Sequence, residues 1–221
     1  DYCLLAVAIT DTSEAEFAPW FEFSSDGKQI LCRIGVEGEM RVASVPVGGG
    51  RLDFYASDEA DCAPGNVSSS DGQLAMTVGG STTLPEIAVA KCRRHDLEVK
   101  QLSDLNGPLL EQLELAIPKS HWIKAADGHR SQAWVMKPPG ARAGKKYPGV
   151  LQIHGGPHAQ YGLGFFHEFQ VLAAAGYVVV FSNPRGSKGY GRDHCAAIQG
   201  NWGSTDWTDI QGVTRFMQKH S

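Results

Sequence analysis

The chain has 221 residues, 42% of them hydrophobic and 20% charged, with a net charge of -4, which is the composition of an ordinary globular protein. It lacks the basic surplus that marks nucleic-acid-binding domains. Its longest apolar runs, such as Tyr177 to Phe181, are far shorter than the ~20 residues that cross a bilayer. We therefore expect neither a nucleic-acid nor a membrane partner.

The cysteines are scattered and odd in number, and none forms a CxxC pair: Cys3, Cys32, Cys62, Cys92 and Cys195. This pattern argues against a disulfide framework or a zinc ribbon and predicts a reducing, cytoplasmic location. Residues Asp1 to Thr10 lack the charged start and the cleavage site of a signal peptide. The chain is therefore expected to be the middle of a longer protein.

The first half of the sequence repeats itself. Ala18-Pro19 precedes Asp26-Gly27 by the same spacing that separates Ala63-Pro64 from Asp71-Gly72, and the two copies lie 45 residues apart. A period of roughly 40–50 residues built from short strands and turns is typical of β-propeller blades. A β-sandwich with two similar hairpins is the alternative.

Asp-Gly pairs suit tight hairpin turns, because glycine tolerates a positive φ. Between these turns and their flanks we predict seven short strands, at residues 20–23, 29–34, 40–45, 52–55, 74–78, 86–90 and 98–102. Two blades cannot close a ring, so most of the expected propeller lies upstream. An unclosed edge favours association, which keeps a homo-oligomer among the expected partners.

From about Leu113 the periodicity changes. We predict a hairpin over residues 121–136, a strand at Gly149–Ile153, a helix at 165–175, a buried strand at 177–182 and a helix at 207–220. Alternation of strand and helix indicates an α/β fold with a parallel sheet. The predicted domains are therefore 1–112, the last blades of a propeller, and 113–221, the start of an α/β-hydrolase domain.

A glycine pair follows the predicted strand Gly149–Ile153, in the sequence His154-Gly155-Gly156-Pro157. Open α/β sheets place their sites at the carboxyl ends of strands. Two glycines there let a backbone N–H approach a bound carbonyl, as an oxyanion hole requires. The α/β-hydrolase fold uses the loop after its third strand in this way.

Several linked blocks resemble the prolyl oligopeptidase family, especially its acylaminoacyl-peptidase branch. They cover roughly Trp122 to the end and are similar in sequence and in order: residues 147–158, 167–170, 172–177, 183–191 and 200–203. The resemblance implies a serine peptidase that hydrolyses short, in some branches N-acylated, peptides, with a propeller that filters access to an interdomain cavity. It requires no cofactor and no metal.

The resemblance also implies roles for individual residues. The backbone N–H of Gly156 would be one oxyanion donor, and His154 would either brace that loop or contact substrate directly. Arg185 would either bind a substrate carboxylate or form an internal ion pair that anchors its loop. Tyr190 is a weaker candidate for lining the substrate pocket, since large aromatic residues at such turns more often pack in the core or an interface.

The sequence departs from the family's pattern in one respect, because no Gly-x-Ser-x-Gly occurs in it. The nucleophilic serine and its aspartate and histidine partners are therefore expected outside this chain, and the chain alone is expected to be inactive. An α/β-hydrolase esterase and a non-catalytic propeller interaction module stay open as alternatives. The 45-residue repeat argues against the first, and the glycine pair after His154 argues against the second.

Overall fold

A computed structural model of the chain describes residues 16–58 and 60–220. Cys3 and the predictions for the first ten residues lie outside this part. Within it the strands form two sheets, one built from residues 16–101 and one from residues 119–183.

The first sheet has eight strands in the order β1-β2-β3-β5-β6-β7-β8, with β4 paired to β3. Neighbours are antiparallel, except that β3 and β5 meet in parallel through Met40 and Asp61. The strands are β1 (Glu16–Phe23), β2 (Gln29–Val36), β3 (Glu39–Pro46), β4 (Asp53–Phe54), β5 (Asp61–Val67), β6 (Leu74–Gly80), β7 (Thr83–Arg93) and β8 (Asp96–Gln101).

The structure confirms that the first half consists of two similar units. Strands β2 and β6 begin at residues 29 and 74, an offset of 45. The two Asp-Gly turns match as well, because Gly27 and Gly72 both have φ of +68°. Trp20 joins the units by donating from Nε1 to the carbonyl of Gly65, 2.7 Å away.

All seven strands predicted in the first half are present, with shifted ends. Strand β5 was not predicted, because Pro64 and Gly65 inside it are typical of turns rather than strand interiors. The structure accommodates them at an irregularity, where the pairing with β6 shifts between Pro64 and Val67.

The second sheet has the order β11-β12-β10-β9, with the strands β9 (Lys119–Lys124), β10 (Arg130–Met136), β11 (Gly149–Ile153) and β12 (Val178–Asn183). The predicted parallel pairing holds for β11 with β12. A wholly parallel sheet, however, was wrong. The hairpin β9–β10 joins the same sheet, and β10 runs antiparallel to β12, so the sheet is mixed.

Four helices lie in the described part of the chain: α1 (Gly107–Leu110), α2 (His167–Ala174), α3 (Arg192–Ala196) and α4 (Thr205–His220). The two longer ones, α2 and α4, confirm the predicted helices. Helix α2 ends before Gly176, whose φ of +95° lets the chain turn into β12. Helices α1 and α3 have only four and five residues, too few for a helical periodicity to be visible in the sequence.

Strand β12 is the centre of the second sheet. All six of its residues are buried, and Val178, Val179 and Val180 have no exposed surface. One face packs with Trp134, Phe169 and Ala173, and the other with Val213 of α4. This confirms a strand covered on both faces, as its unbroken apolar sequence predicted.

The turn between β2 and β3 touches the second half of the chain directly. Glu37 N–H donates to the carbonyl of Gly189 (2.9 Å), and Leu163 N–H donates to the carbonyl of Gly38 (2.8 Å). A Cβ at Gly38 would lie 2.5 Å from the ring of Trp134, which is fully buried. The two sheets therefore meet where only glycine fits.

The domain boundary near residue 112 stays a prediction; the two sheets lie on either side of it. Among the residues that the structure describes, Cys32, Cys62, Cys92 and Cys195 form no disulfide bond. Among the described helices, none is long and apolar enough to cross a membrane. The cytoplasmic location stays a prediction.

Replacing Gly38 by alanine tests the contact between the sheets. Gly27→Ala is the matched control, because Gly27 also has a positive φ but open space around its Cβ position. We expect Gly27→Ala to lower the free energy of unfolding by about 1 kcal/mol, from backbone strain alone. Gly38→Ala should lower it by about 3 kcal/mol, because the methyl group also collides with Trp134. Urea unfolding of the two variants measures this, and equal losses would contradict the contact.

Candidate active site

The two loops that carry the predicted site residues leave the same edge of the second sheet. Strands β11 and β12 are parallel, with Ile153 paired to Ser182, so both end at nearly the same level. Residues 154–166 follow β11, and residues 184–191 follow β12. The sheet thus brings together the glycine pair and the segment that contains Arg185 and Tyr190.

The glycine pair is exposed at this edge, and its two members differ. Gly156 has φ of +132°, and a Cβ there would lie 3.1 Å from the backbone nitrogens of His158 and Ala159. A Cβ at Gly155 would meet nothing within 4 Å. Among the residues that the structure describes, no acceptor takes the N–H of Gly156. The loop thus presents a backbone donor that its own fold does not use.

His154 lies between the two loops. Its Nε2 is 2.9 Å from Ser187 Oγ, which in turn lies 2.6 Å from the carbonyl oxygen of Pro184. Its Nδ1 lies 2.9 Å from the carbonyl oxygen of Gly155. Burial lowers the pKa of the imidazole, which favours the neutral ring at pH 7. Both ring nitrogens thus have partners within the chain, and these contacts favour the bracing interpretation.

Arg185 forms ion pairs with two carboxylates of the chain. Its Nε and Nη2 bind the two carboxylate oxygens of Asp209 at 2.9 and 2.8 Å, and Nη2 also binds Asp127 at 2.6 Å. The side chain is 13% exposed, and that of Asp209 is 0% exposed. Hydrogen bonding to Asp209 raises the pKa of Arg185, and Arg185 lowers that of Asp127. Of the two interpretations of Arg185, the geometry favours the anchoring ion pair.

The hydroxyl group of Tyr190 is also hydrogen-bonded within the chain. Its hydroxyl accepts from Asn183 Nδ2 (2.8 Å) and donates to Gln132 Oε1 (2.7 Å), and burial raises its pKa. Its ring lines a cavity of about 710 Å³ that reaches Glu37 of the first sheet and Arg130 of the second. Tyr190 therefore offers this cavity an aromatic surface rather than a hydroxyl.

Sequence reasoning missed or misplaced several residues here. Ser187 and Asn183 were not among the predicted site residues, although both bond to the loop after β11. Asp209 was not predicted as the partner of Arg185, because it lies 24 positions away in the chain.

Asp209→Asn tests the anchoring of Arg185. Removing one partner of a buried ion pair leaves a charge without compensation, and we expect a loss of about 3 kcal/mol in the free energy of unfolding. Glu98→Gln is the control, since its pair with Arg93 is about 60% exposed on both sides. That variant should lose at most ~0.5 kcal/mol. Similar losses in urea unfolding at pH 7 would show that burial adds nothing to the Arg185 pair.

Comparison with known sequences relates the chain to peptidases. It is 43% identical over 113 residues to the uncharacterized peptidase YuxL of Bacillus subtilis, covering 51% of this chain and 17% of the relative. It is 34% identical over 101 residues to dipeptidyl-peptidase 5 of Schizosaccharomyces pombe, covering 45% of this chain and 15% of that protein. The chain thus spans about a sixth of the length of these relatives.

Among solved structures, the chain resembles an acylaminoacyl peptidase of Pyrococcus horikoshii with a TM-score of 0.79 and 24% identity, over 94% of this chain and 31% of that one. It also resembles an acylaminoacyl peptidase in complex with Z-Gly-Gly-Phe-chloromethyl ketone, with a TM-score of 0.78 and 26% identity, over 95% and 32% of the two chains. Residues 163–221 match the model of the prolyl oligopeptidase family.

Proposed function

We propose that this chain is a segment of a serine peptidase of the prolyl oligopeptidase family and that it contributes the oxyanion-hole loop. The observation that carries the proposal is the N–H of Gly156, exposed at the carboxyl edge of the sheet with no acceptor among the described residues. Peptide-bond hydrolysis by a serine develops negative charge on the carbonyl oxygen, and a fixed backbone N–H stabilises that charge. The family match over residues 163–221 supports the same reaction.

The proposed division of labour follows from the residues in hand. The Gly156 N–H supplies one oxyanion donor, and His154 holds the loop by its bond to Ser187. Arg185 fixes the neighbouring loop on α4 through Asp209. The nucleophilic serine and its acid–base partners lie outside residues 1–221, because no nucleophile-elbow motif occurs in this sequence.

The first sheet supplies the second part of the proposal. Its two units, offset by 45 residues, are proposed to be two blades of a β-propeller. The turn at Glu37 and Gly38 contacts the second half of the chain beside Gly189 and Leu163. Blades in this position would restrict the peptidase to short peptides, whether their amino termini are free or acylated.

Serine labelling tests the location of the nucleophile. In the full-length polypeptide that carries this segment, we expect a fluorophosphonate probe to label one serine and to stop hydrolysis of short peptides. The 221-residue chain alone should bind no probe and hydrolyse nothing, because it has no activated serine. Peptide mapping by mass spectrometry locates the label, and a labelled serine within residues 1–221 would overturn the proposal.

A pair of glycine variants tests the oxyanion donor in the full-length enzyme. Proline would be a poor choice at Gly156, because its φ is fixed near -65° whereas this residue has +132°. Gly156→Ala keeps the N–H but displaces it, since its methyl group meets the backbone of His158 and Ala159. We expect a ~100-fold lower kcat with little change in KM.

Gly155→Ala is the matched control, because its methyl group enters open space. Its kcat should stay within ~3-fold of the wild type, since the donor is not moved. If both variants lose activity equally, or if neither does, Gly156 is not the oxyanion donor.

A further inference from the structure

Asn183 is a buried amide at the end of β12 that has no role in the mechanism proposed above. Its side chain has no exposed surface. The Oδ1 atom accepts the N–H of Tyr161 (2.8 Å), and Nδ2 donates to the carbonyl of Tyr161 (2.8 Å) and to the hydroxyl of Tyr190 (2.8 Å). Asn183 therefore clamps both backbone groups of one residue, in the way a paired strand would.

Tyr161 lies near the middle of the loop that begins at His154. Its ring contacts the His154 imidazole edge to face, with centroids 5.2 Å apart, and contacts Phe169 at the same distance. Between His154 and Tyr161, His158 Nδ1 lies 2.9 Å from the carbonyl oxygen of Gly186. The part of the loop that contains Gly156 is thus held on one side by the contact of His154 with Ser187 and on the other by Asn183.

We propose that Asn183 is a positioning residue for the reaction, whose carboxamide fixes Tyr161 and through it the direction of the Gly156 N–H. The inference rests on the proposed function, since it assigns the clamp to the oxyanion donor. An oxyanion hole works only while its donor is held in place, and an error of ~1 Å costs on the order of 100-fold in rate. The clamp is suited to this task because both of its polar ends are hydrogen-bonded and the side chain is fully buried.

Asn183→Asp removes the donor from the clamp at nearly constant shape. The ionised carboxylate would face the Tyr161 carbonyl without a proton, so the two oxygens would repel each other. A protonated carboxyl would restore one donor, and burial favours that form as the pH falls. The variant should therefore regain activity on acidification relative to the wild type.

Other titratable or charged groups lie around Asn183. They are His154 on the loop after β11, Tyr190 and Arg185 on the loop after β12, and Glu37, whose charge reaches Tyr190 from the first sheet. His154 and Tyr190 interact with the Asn183 side chain directly, so an ionised carboxylate there would also raise their pKa values. The ratio of wild-type to variant kcat therefore reports the substituted carboxyl together with these two neighbours.

Gln170 provides the matched control. It is a buried amide in α2 that clamps Ala116 in the same way: Oε1 accepts Ala116 N–H (2.8 Å) and Nε2 donates to the Ala116 carbonyl (3.0 Å). Its Nε2 also donates to the carbonyl of Ser81 (2.9 Å), as Asn183 Nδ2 does to Tyr190. Ala116 lies outside the loop of Gly156. Gln170→Glu therefore repeats the chemistry and the burial of Asn183→Asp without touching the proposed oxyanion donor.

The experiment measures kcat and KM of the full-length wild type and of both variants between pH 5.5 and 8, each corrected for its folded fraction. For Asn183→Asp we expect a ~100-fold lower kcat at pH 8 with KM within ~3-fold, and a loss that shrinks to ~10-fold at pH 5.5. Gln170→Glu should keep kcat within ~3-fold at every pH. Hydrogen exchange on the full-length enzyme should be faster in residues 154–162 for Asn183→Asp only.

The possible failures are distinguishable. No hydrolysis by the wild type would overturn the proposed function and this inference together. An active wild type with equal losses in the two variants, or with a loss in Asn183→Asp that does not change with pH, would overturn the positioning role alone. Faster hydrogen exchange in residues 154–162 of Asn183→Asp without a lower kcat would also overturn the positioning role.

Discussion

The parallel register of β11 on β12 determines what the loops at this edge can do. With Ile153 opposite Ser182, the chain leaves both strands at the same level, and the two loops run side by side. They are fastened by contacts of His154 with Ser187 and of Asn183 with Tyr161. A shift of the register by one residue would turn these side chains to the other face of the sheet and separate every pair.

The register is secured by burial rather than by the loops themselves. Strand β12 is enclosed on both faces, so burial of its valines stabilises its register against β11 and β10. The polar groups at the end of β12 are of two kinds. Neutral amides and hydroxyls hold the loop of Gly156, whereas the charged pair of Arg185 and Asp209 ties the neighbouring loop to α4.

Local sequence signals were enough to find the glycine pair and every described strand except β5. Strand β11 was predicted to the residue, because its apolar run stops at His154 and two glycines, and β12 was displaced by one residue. The mixed character of the sheet was not visible, since nothing in the hairpin's own sequence says which edge of β12 it joins. Strand β5 was hidden because Pro64 and Gly65 are tolerated only at its irregularity.

The polar contacts that hold the loops of the site together were not predicted, for a related reason. Asn183 and Ser187 read as ordinary turn residues, and their partners Tyr161 and His154 are 22 and 33 positions away in the chain. Polar side chains that act across such distances leave no periodic trace in the sequence. Gly156 was found because its requirement is local: its backbone angle of +132° admits little other than glycine.

The most direct test of this account is a crystal structure of the full-length enzyme with a peptide boronate bound to its nucleophile. The boronate carries an oxygen where the oxyanion forms. We expect that oxygen to lie about 3 Å from the backbone nitrogen of Gly156, with Tyr161 still held by Asn183. A boronate oxygen bound elsewhere, with the Gly156 N–H turned away from it, would contradict the central claim.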